Sequence, residues 1–352
     1  MVFEHCGPKH SRGNPYTRGS KYDKRLVTPL GAIWFKVQRI VQRVTKDVYS
    51  PILDALDVKG RRYSRDVRIA CSEYASKMSY EDASLEYMTG TGIRVPKRTI
   101  HSWVWELAPM LLEEYKESRE PEEKLIMGDS TVVRGIKRWE MNQVKLILSG
   151  SGGLEDLYVN TPWPGRRVDV LVSDDEPGLS EAFSYSRRQL CILHALKRLG
   201  FILWKDRVSL EERKEALDAV KRPLFVLVKS VEKHLEDKDM VRLKRRIDWT
   251  LEKLGEAARD LRTRGHDKAA EFIERHAGFM VTFAELALEG IRIPYTTNRI
   301  ERVMGEVAKR CKHKWMHWGT DGLRCILIFI LVRYSDKEVY EGFKKAYICN
   351  KI

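Results

Sequence analysis

Two short apolar runs, each ending in acids, constrain this chain more than any other feature. Leu125-Ile126-Met127-Gly128-Asp129 and Val168-Asp169-Val170-Leu171-Val172-Ser173-Asp174 have the length of strands, and Gly135 and Gly150 to Gly153 supply turns between them. Trp139 to Ser149 alternates apolar and polar residues, and Leu157-Tyr158-Val159 is a further short run. A helix from Pro177 to Tyr185, a run from Gln189 to Leu193 and a helix to Trp204 follow. Strands joined by short turns and then alternating with helices predict a mixed α/β sheet covered by helices over 121–204.

The period then changes. Ser209-Leu210-Glu211-Glu212 is a capping box, and amphipathic stretches run to about Leu235, from Met240 to Arg262 and from Asp267 to Leu288. Residues 205–292 therefore read as an all-helical insertion. Residues 293–352 return with a helix beginning near Asn298, where Glu301 can close a capping box, and a last helical stretch from Asp321 to Tyr347.

Upstream of the sheet, residues 1–62 hold 13 Lys and Arg against 5 Asp and Glu. Their turn-rich start reads as an extended arm, and Val27 to Val37 with Val41 to Tyr49 as a short hairpin. The arm is either a solvated tail or a segment that lies along phosphates. Residues 63–120 read as helices: Ser64 caps Arg65 to Met78, Ser79 opens a second helix to about Tyr87, and Val95-Pro96 starts a third that Pro109 interrupts. The first turns of this third helix carry Lys97, Arg98, Thr99 and His101, as in a helix-turn-helix that faces base edges. A plain three-helix bundle is the bland alternative. Glu117 to Lys124 reads as a linker.

The whole chain carries 64 Lys and Arg against 50 Asp and Glu, a net charge of +14. A surface this cationic favours a polyanion, and nucleic acid is the commonest. The second basic concentration, Arg299, Arg302, Lys309, Arg310, Lys312 and Lys314, is interleaved with Trp315 and Trp318, which either stack on bases or pack in a core. Six scattered cysteines and no signal peptide predict reduced thiols in a cytoplasmic protein. The longest apolar run, Cys325 to Val332, falls far short of the ~20 residues that cross a bilayer. Gly150-Ser151-Gly152-Gly153 lacks the spacing of a nucleotide-binding loop, and no nucleophile elbow is present.

Asp129 and Asp174, at the ends of adjacent strands, can share a divalent cation, and Glu301 can complete the shell. Each acid alone reads equally as a cap or turn residue. Asp175 is the neighbouring alternative to Asp174, and Glu306 the alternative to Glu301. Cys191 and His194 are half of a zinc site, which would need further ligands such as Cys311, His313 or His317. A cysteine in the core and a hydrogen-bonding histidine are the plainer reading.

Ser173-Asp174 with Gly178-Leu179, Cys191-x-x-His194 and Thr296-Thr297-Asn298-x-x-Glu301 together resemble the DDE transposases of the Mutator-related group, which includes prokaryotic insertion-sequence transposases. The order of regions over roughly residues 60–335 is similar too. The resemblance implies an RNase H-like domain interrupted by the helical insertion, with Asp129, Asp174 and Glu301 as its three acids and Cys191 and His194 in support. It implies Mg²⁺ or Mn²⁺, double-stranded DNA at element ends and target, a homo-oligomer, and, in a prokaryote, association with the nucleoid. Two other readings remain: a DNA-binding regulator without catalysis, and an RNase H-like nuclease without strand transfer.

Overall fold

The computed structural model describes residues 15–56, 58–122, 124–137, 139–313 and 316–349, with only the backbone of Pro177. The protein is of mixed α/β class and falls into two units, Met1–Ser118 with Cys325–Ile352, and Arg119–Arg324.

The first unit opens with β1 (Tyr16–Thr28), β2 (Gly31–Gln42) and β3 (Val48–Tyr49), an antiparallel sheet in that order. The hairpin lies upstream of its expected place, because Val27 to Val37 contains the turn itself. Thr28-Pro29-Leu30-Gly31 reverses the chain, with Gly31 at φ 124°, a conformation that glycine adopts without strain. Leu26 and Val37 pack with Leu53 of α1 (Pro51–Ala55) and with Val58. Three helices follow and pack on one another: α2 (Arg65–Lys77), α3 (Tyr80–Thr91) and α4 (Lys97–Glu117). Ser79 caps α3 by accepting the Asp82 amide at 3.0 Å, and Gly92, at φ 69°, ends it. Pro109 does not interrupt α4. It sits on the exposed side of the helix, where the lost backbone hydrogen bond faces solvent.

The second unit is built on a five-stranded mixed sheet. Its strands are β4 (Leu125–Arg134), β5 (Met141–Ser149), β6 (Leu154–Val159), β7 (Val170–Ser173) and β8 (Arg187–Leu190), ordered β6-β5-β4-β7-β8. β4, β5 and β6 are antiparallel neighbours, whereas β7 and β8 run parallel to β4. A short helix, α5 (Pro177–Ala182), joins β7 to β8, and its Leu179 closes a core with Ile126, Ile147 and Leu171. The expected run Gln189 to Leu193 divides: β8 ends at Leu190, and Ile192 already belongs to α6 (Ile192–Lys205).

Three long helices, α7 (Leu210–Glu236), α8 (Met240–Thr263) and α9 (Asp267–Leu288), then pack with α6 around Leu199, Leu224, Leu254 and Ile273. Buried Gln189 joins this block to the sheet: its Oε1 accepts the amide of Phe283 in α9 at 2.7 Å. Next, α10 (Asn298–Cys311) packs against β4.

The expected last helix is two, α11 (Thr320–Ser335) and α12 (Lys337–Ile348). Asp336 breaks them apart by capping α12, accepting the amides of Glu338 and Val339 at 3.0 Å each. α12 packs on α2 and α4, with Lys344 Nζ 2.7 Å from Glu73 and Arg65 4.8 Å over the Tyr347 ring. The segment 293–352, read as one region, therefore divides between the units at Arg324. No helix among the described residues is long and apolar enough to cross a membrane.

Ile147 is fully buried at the centre of the sheet. Ile147→Ala is expected to lower the unfolding free energy by ~2–5 kcal/mol, read by denaturant titration followed by circular dichroism.

Candidate functional site

Asp129 lies in the middle of β4 rather than at its end. The parallel ladder between β4 and β7 stops at Gly128 opposite Ser173, so Asp129 and Asp174 are the first residues beyond it on neighbouring strands. From Asp129 onward β4 is paired only with β5. Alternation places Met127, Asp129 and Thr131 on one face. The ammonium of Lys312, just beyond α10, donates to Thr131 Oγ1.

The carboxylates act on one another. Burial and the charge of Asp174 push the Asp129 carboxyl up to about 7, and Glu301 adds to the shift. The amide of Ser130 and the nearby His194 oppose it only in part. Asp174 is also raised, by burial first and by Glu176. Its buried Oδ1 has no hydrogen-bond partner. Asp175 is engaged differently: its Oδ1 accepts from Arg188 at 3.1 Å and lies 3.3 Å from His276 Nε2. Arg188 also donates to the Asp174 backbone carbonyl at 2.7 Å.

Glu301 is held from the other side. Thr297, not Asn298, is the cap residue of α10, and its hydroxyl does not bond the helix backbone. It donates to Glu301 Oε1 at 3.0 Å and lies 3.2 Å from His194 Nδ1. The Thr297 amide donates to Cys191 Sγ at 3.4 Å. The Ile192 amide donates to the Tyr295 carbonyl at 3.1 Å, which fixes the approach to α10 beside the start of α6.

Burial would raise the Cys191 thiol, but hydrogen bonds from His194 and Thr297 outweigh it and hold the thiol below its ordinary value. The same contact with Cys191 raises His194, with help from Glu301 and Asp174 and against the effect of burial.

The ligand atoms of Cys191, His194 and Glu301 lie within 4.8 Å of one another. Among the described residues none of the other zinc candidates joins this cluster: Cys311 is buried at the end of α10, and His317 Nδ1 is 2.8 Å from the Gly135 carbonyl. The cluster also lacks Asp129 and Asp174; Asp129 feels the charge of Glu301.

The basic run is less uniform than its sequence. Arg302, Lys309 and Lys312 are exposed, with Lys309 bridged to Glu306 at 2.7 Å. Arg299 is exposed too, and it reaches back to the Gly150 carbonyl at 2.6 Å. Arg310 does not belong on a binding surface: it is 4% exposed and lies 4.8 Å over the ring of buried Trp318. Trp318 donates from Nε1 to the Cys311 carbonyl at 3.1 Å, so it is a core residue and not a stacking platform. Lys314 and Trp315 lie outside the described residues. In α4, Lys97, Arg98 and His101 are exposed and Thr99 is half-buried. Lys97 is paired with Glu81 at 2.9 Å, and His101 accepts from Trp105 Nε1 at 3.0 Å.

Arg188, His276 and Thr297 were not read as functional from the sequence. Thr297 had a signal, because a hydroxyl four residues before an acid at a helix start can bond that acid. His276, a single histidine in an amphipathic helix, had none.

No protein-family model matches this chain, and no curated protein matches it.

A folded-state value near 7 for Asp129 lies above that of an unfolded aspartate, so ionising this group costs stability. The cost is absent below about pH 4 and complete above about pH 7. In metal-free buffer, Asp129→Asn is expected to be more stable than the parent by roughly 3 kcal/mol near pH 8, an advantage that disappears as the pH falls toward 4. Denaturant unfolding at several pH values measures it.

Proposed function

We propose that this protein is a DDE-type transposase, which cleaves phosphodiester bonds at the ends of a mobile element and joins the freed 3′-hydroxyl to target DNA. The observation that carries the reading is the unpartnered, buried Asp174 Oδ1 beside Asp129 and within the field of the site that holds Glu301. Asp129, raised by burial and by the charges of Asp174 and Glu301, ionises readily there only with a cation beside it. The sheet order β6-β5-β4-β7-β8, with its last two strands parallel to β4, suits the RNase H-like fold that the sequence resemblance implies. The helical block between β8 and α10 suits the insertion before the third acid.

The residues fit Mg²⁺ or Mn²⁺. Hard divalent cations take carboxylate oxygens and leave positions for water and phosphate. Asp129 and Asp174 would hold the metal, with Glu301 completing the set. Asp175 is the weaker candidate, because Arg188 and His276 already occupy it. Held there, such a cation would serve to activate an attacking hydroxyl and to stabilise the leaving oxygen. The chain's own residues do the positioning. Thr297 orients Glu301 through its hydroxyl, and His194, 3.2 Å from that hydroxyl, stands on its other side. Arg188 holds the Asp174 backbone by its carbonyl, which leaves the Asp174 side chain free for the cation.

The helices α2, α3 and α4 suit a helix-turn-helix, with Lys97, Arg98, Thr99 and His101 at the DNA. On α10 and beyond it, Arg299, Arg302, Lys309 and Lys312 suit contacts to phosphates. Joining two element ends in one complex implies a homo-oligomer.

The test is Mg²⁺-dependent cleavage and joining of a duplex carrying the DNA that flanks the gene. Asp129→Ala, Asp174→Ala and Glu301→Ala are each expected to lose on the order of 10³-fold or more. Asp175→Asn is expected to lose only about 10- to 100-fold, as an outer-shell residue. Activity surviving in all three alanine variants overturns the reading.

A further inference from the structure

The β1–β2 hairpin carries charge that the rest of the described chain leaves uncompensated. Between Tyr16 and Tyr49 there are eight Lys and Arg, and the only acids are Asp23 and Asp47. Among the described residues no carboxylate forms an ion pair with any of these cations. Eight like charges on one hairpin repel one another, which disfavours the fold unless a polyanion is present.

The register sorts the hairpin into two faces. Tyr22, Leu26, Phe35 and Val37 turn inward toward Leu53 and Val58. On the opposite face Lys21 lies across from Gln38, Asp23 across from Lys36, and Arg25 across from Trp34. Trp34 is 66% exposed, and the Arg25 guanidinium sits 5.8 Å from its ring. Nearer the turn this face is covered at Val27, which is 1% exposed and hydrogen-bonded to Arg62 and Ser64, but the indole of Trp34 stays open to solvent beside its cation.

Strands of 13 and 12 residues make a two-stranded ribbon about 40 Å long at ~3.3 Å per residue. The major groove of duplex DNA, about 12 Å wide, admits such a ribbon. By the register the outward face carries Arg25, Lys21 and Lys36 and, at the end away from the turn, Arg18, while Lys24 and Arg39 lie on the inward face, Arg39 4.6 Å over the Tyr22 ring. A rod-shaped polyanion matches that distribution. A lipid surface would be met by cations gathered around the apolar tip at Leu30 and Ile33.

We infer that the outer face of the β1–β2 ribbon is a second DNA-binding surface, which follows the phosphates of a duplex and sets Trp34 against it. The inference rests on the reading of DNA as partner and is independent of the catalytic step.

The test uses the full-length chain in the presence of a chelator, so that catalysis does not contribute. Binding to a duplex of about 40 base pairs of arbitrary sequence is measured by fluorescence anisotropy between about 50 and 200 mM salt. The double variant Lys21→Gln with Lys36→Gln, both exposed and unpaired, is expected to flatten the slope of log K against log salt by about 1.8, the release of two counterions. Trp34→Ala is expected to weaken binding severalfold at every salt concentration with the slope unchanged. Melting curves matching the parent show that the fold is kept. Lys97→Gln with Arg98→Gln serves as the comparison in α4. A slope reduced by the α4 variant alone overturns the ribbon inference and leaves DNA as the partner. Loss of adsorption to phosphatidylserine vesicles by the ribbon variant, with DNA binding intact, overturns it in favour of a membrane. No duplex binding by the parent removes both this inference and the proposed function.

Discussion

The second unit depends on a mismatch of strand lengths. β7 ends at Ser173 while its neighbour β4 continues to Arg134, and the gap on that side of β4 opens where Asp129 and Asp174 stand. Had β7 run two residues further, its backbone would have paired with β4 and covered both acids. The short strand therefore costs ladder hydrogen bonds and leaves two half-buried carboxylates that each resist ionisation. Folding does not favour that arrangement, so it is a place where stability has been given up for something else.

Each acid is then held by a different kind of contact. The β4 backbone fixes Asp129, Arg188 holds the carbonyl of Asp174, and Thr297 directs Glu301 from the first turn of α10. These supports come from β4, from β8 two strands away, and from the segment that follows the helical block. A displacement of α10 would therefore move Glu301 without moving the aspartates. The Cys191–His194 pair lies at this junction, at the start of α6, and touches the Thr297 segment through both residues.

Much of this was legible in the sequence. Apolar runs, caps and the change of period located most strands and helices, because those signals are local. The acids Asp129, Asp174 and Glu301 stood out because each ends a short apolar run or stands near a helix start. The failures share a cause. The hairpin was placed late because alternation continued through a turn set by Pro29 and Gly31. Pro109 was read as a breaker because its exposure was unknown. Arg310 was counted with the surface because nothing local marks an arginine whose guanidinium rests on a buried indole. His276 and Arg188 reach Asp175 from separate elements, and no spacing in the chain encodes such a meeting.

The contact between Gln189 and Phe283 also bears on how the chain is made. The two residues stand 94 positions apart, and the Gln189 side chain is fully buried. A ribosome delivers β8 long before α9. Until α9 arrives, Gln189 holds an amide group with no partner for its oxygen, and closing the sheet around it is unfavourable. The native burial of Gln189 is thus complete only with the helical block in place. The stretch that follows this block carries Glu301, so the three acids can meet only after the whole block has been made.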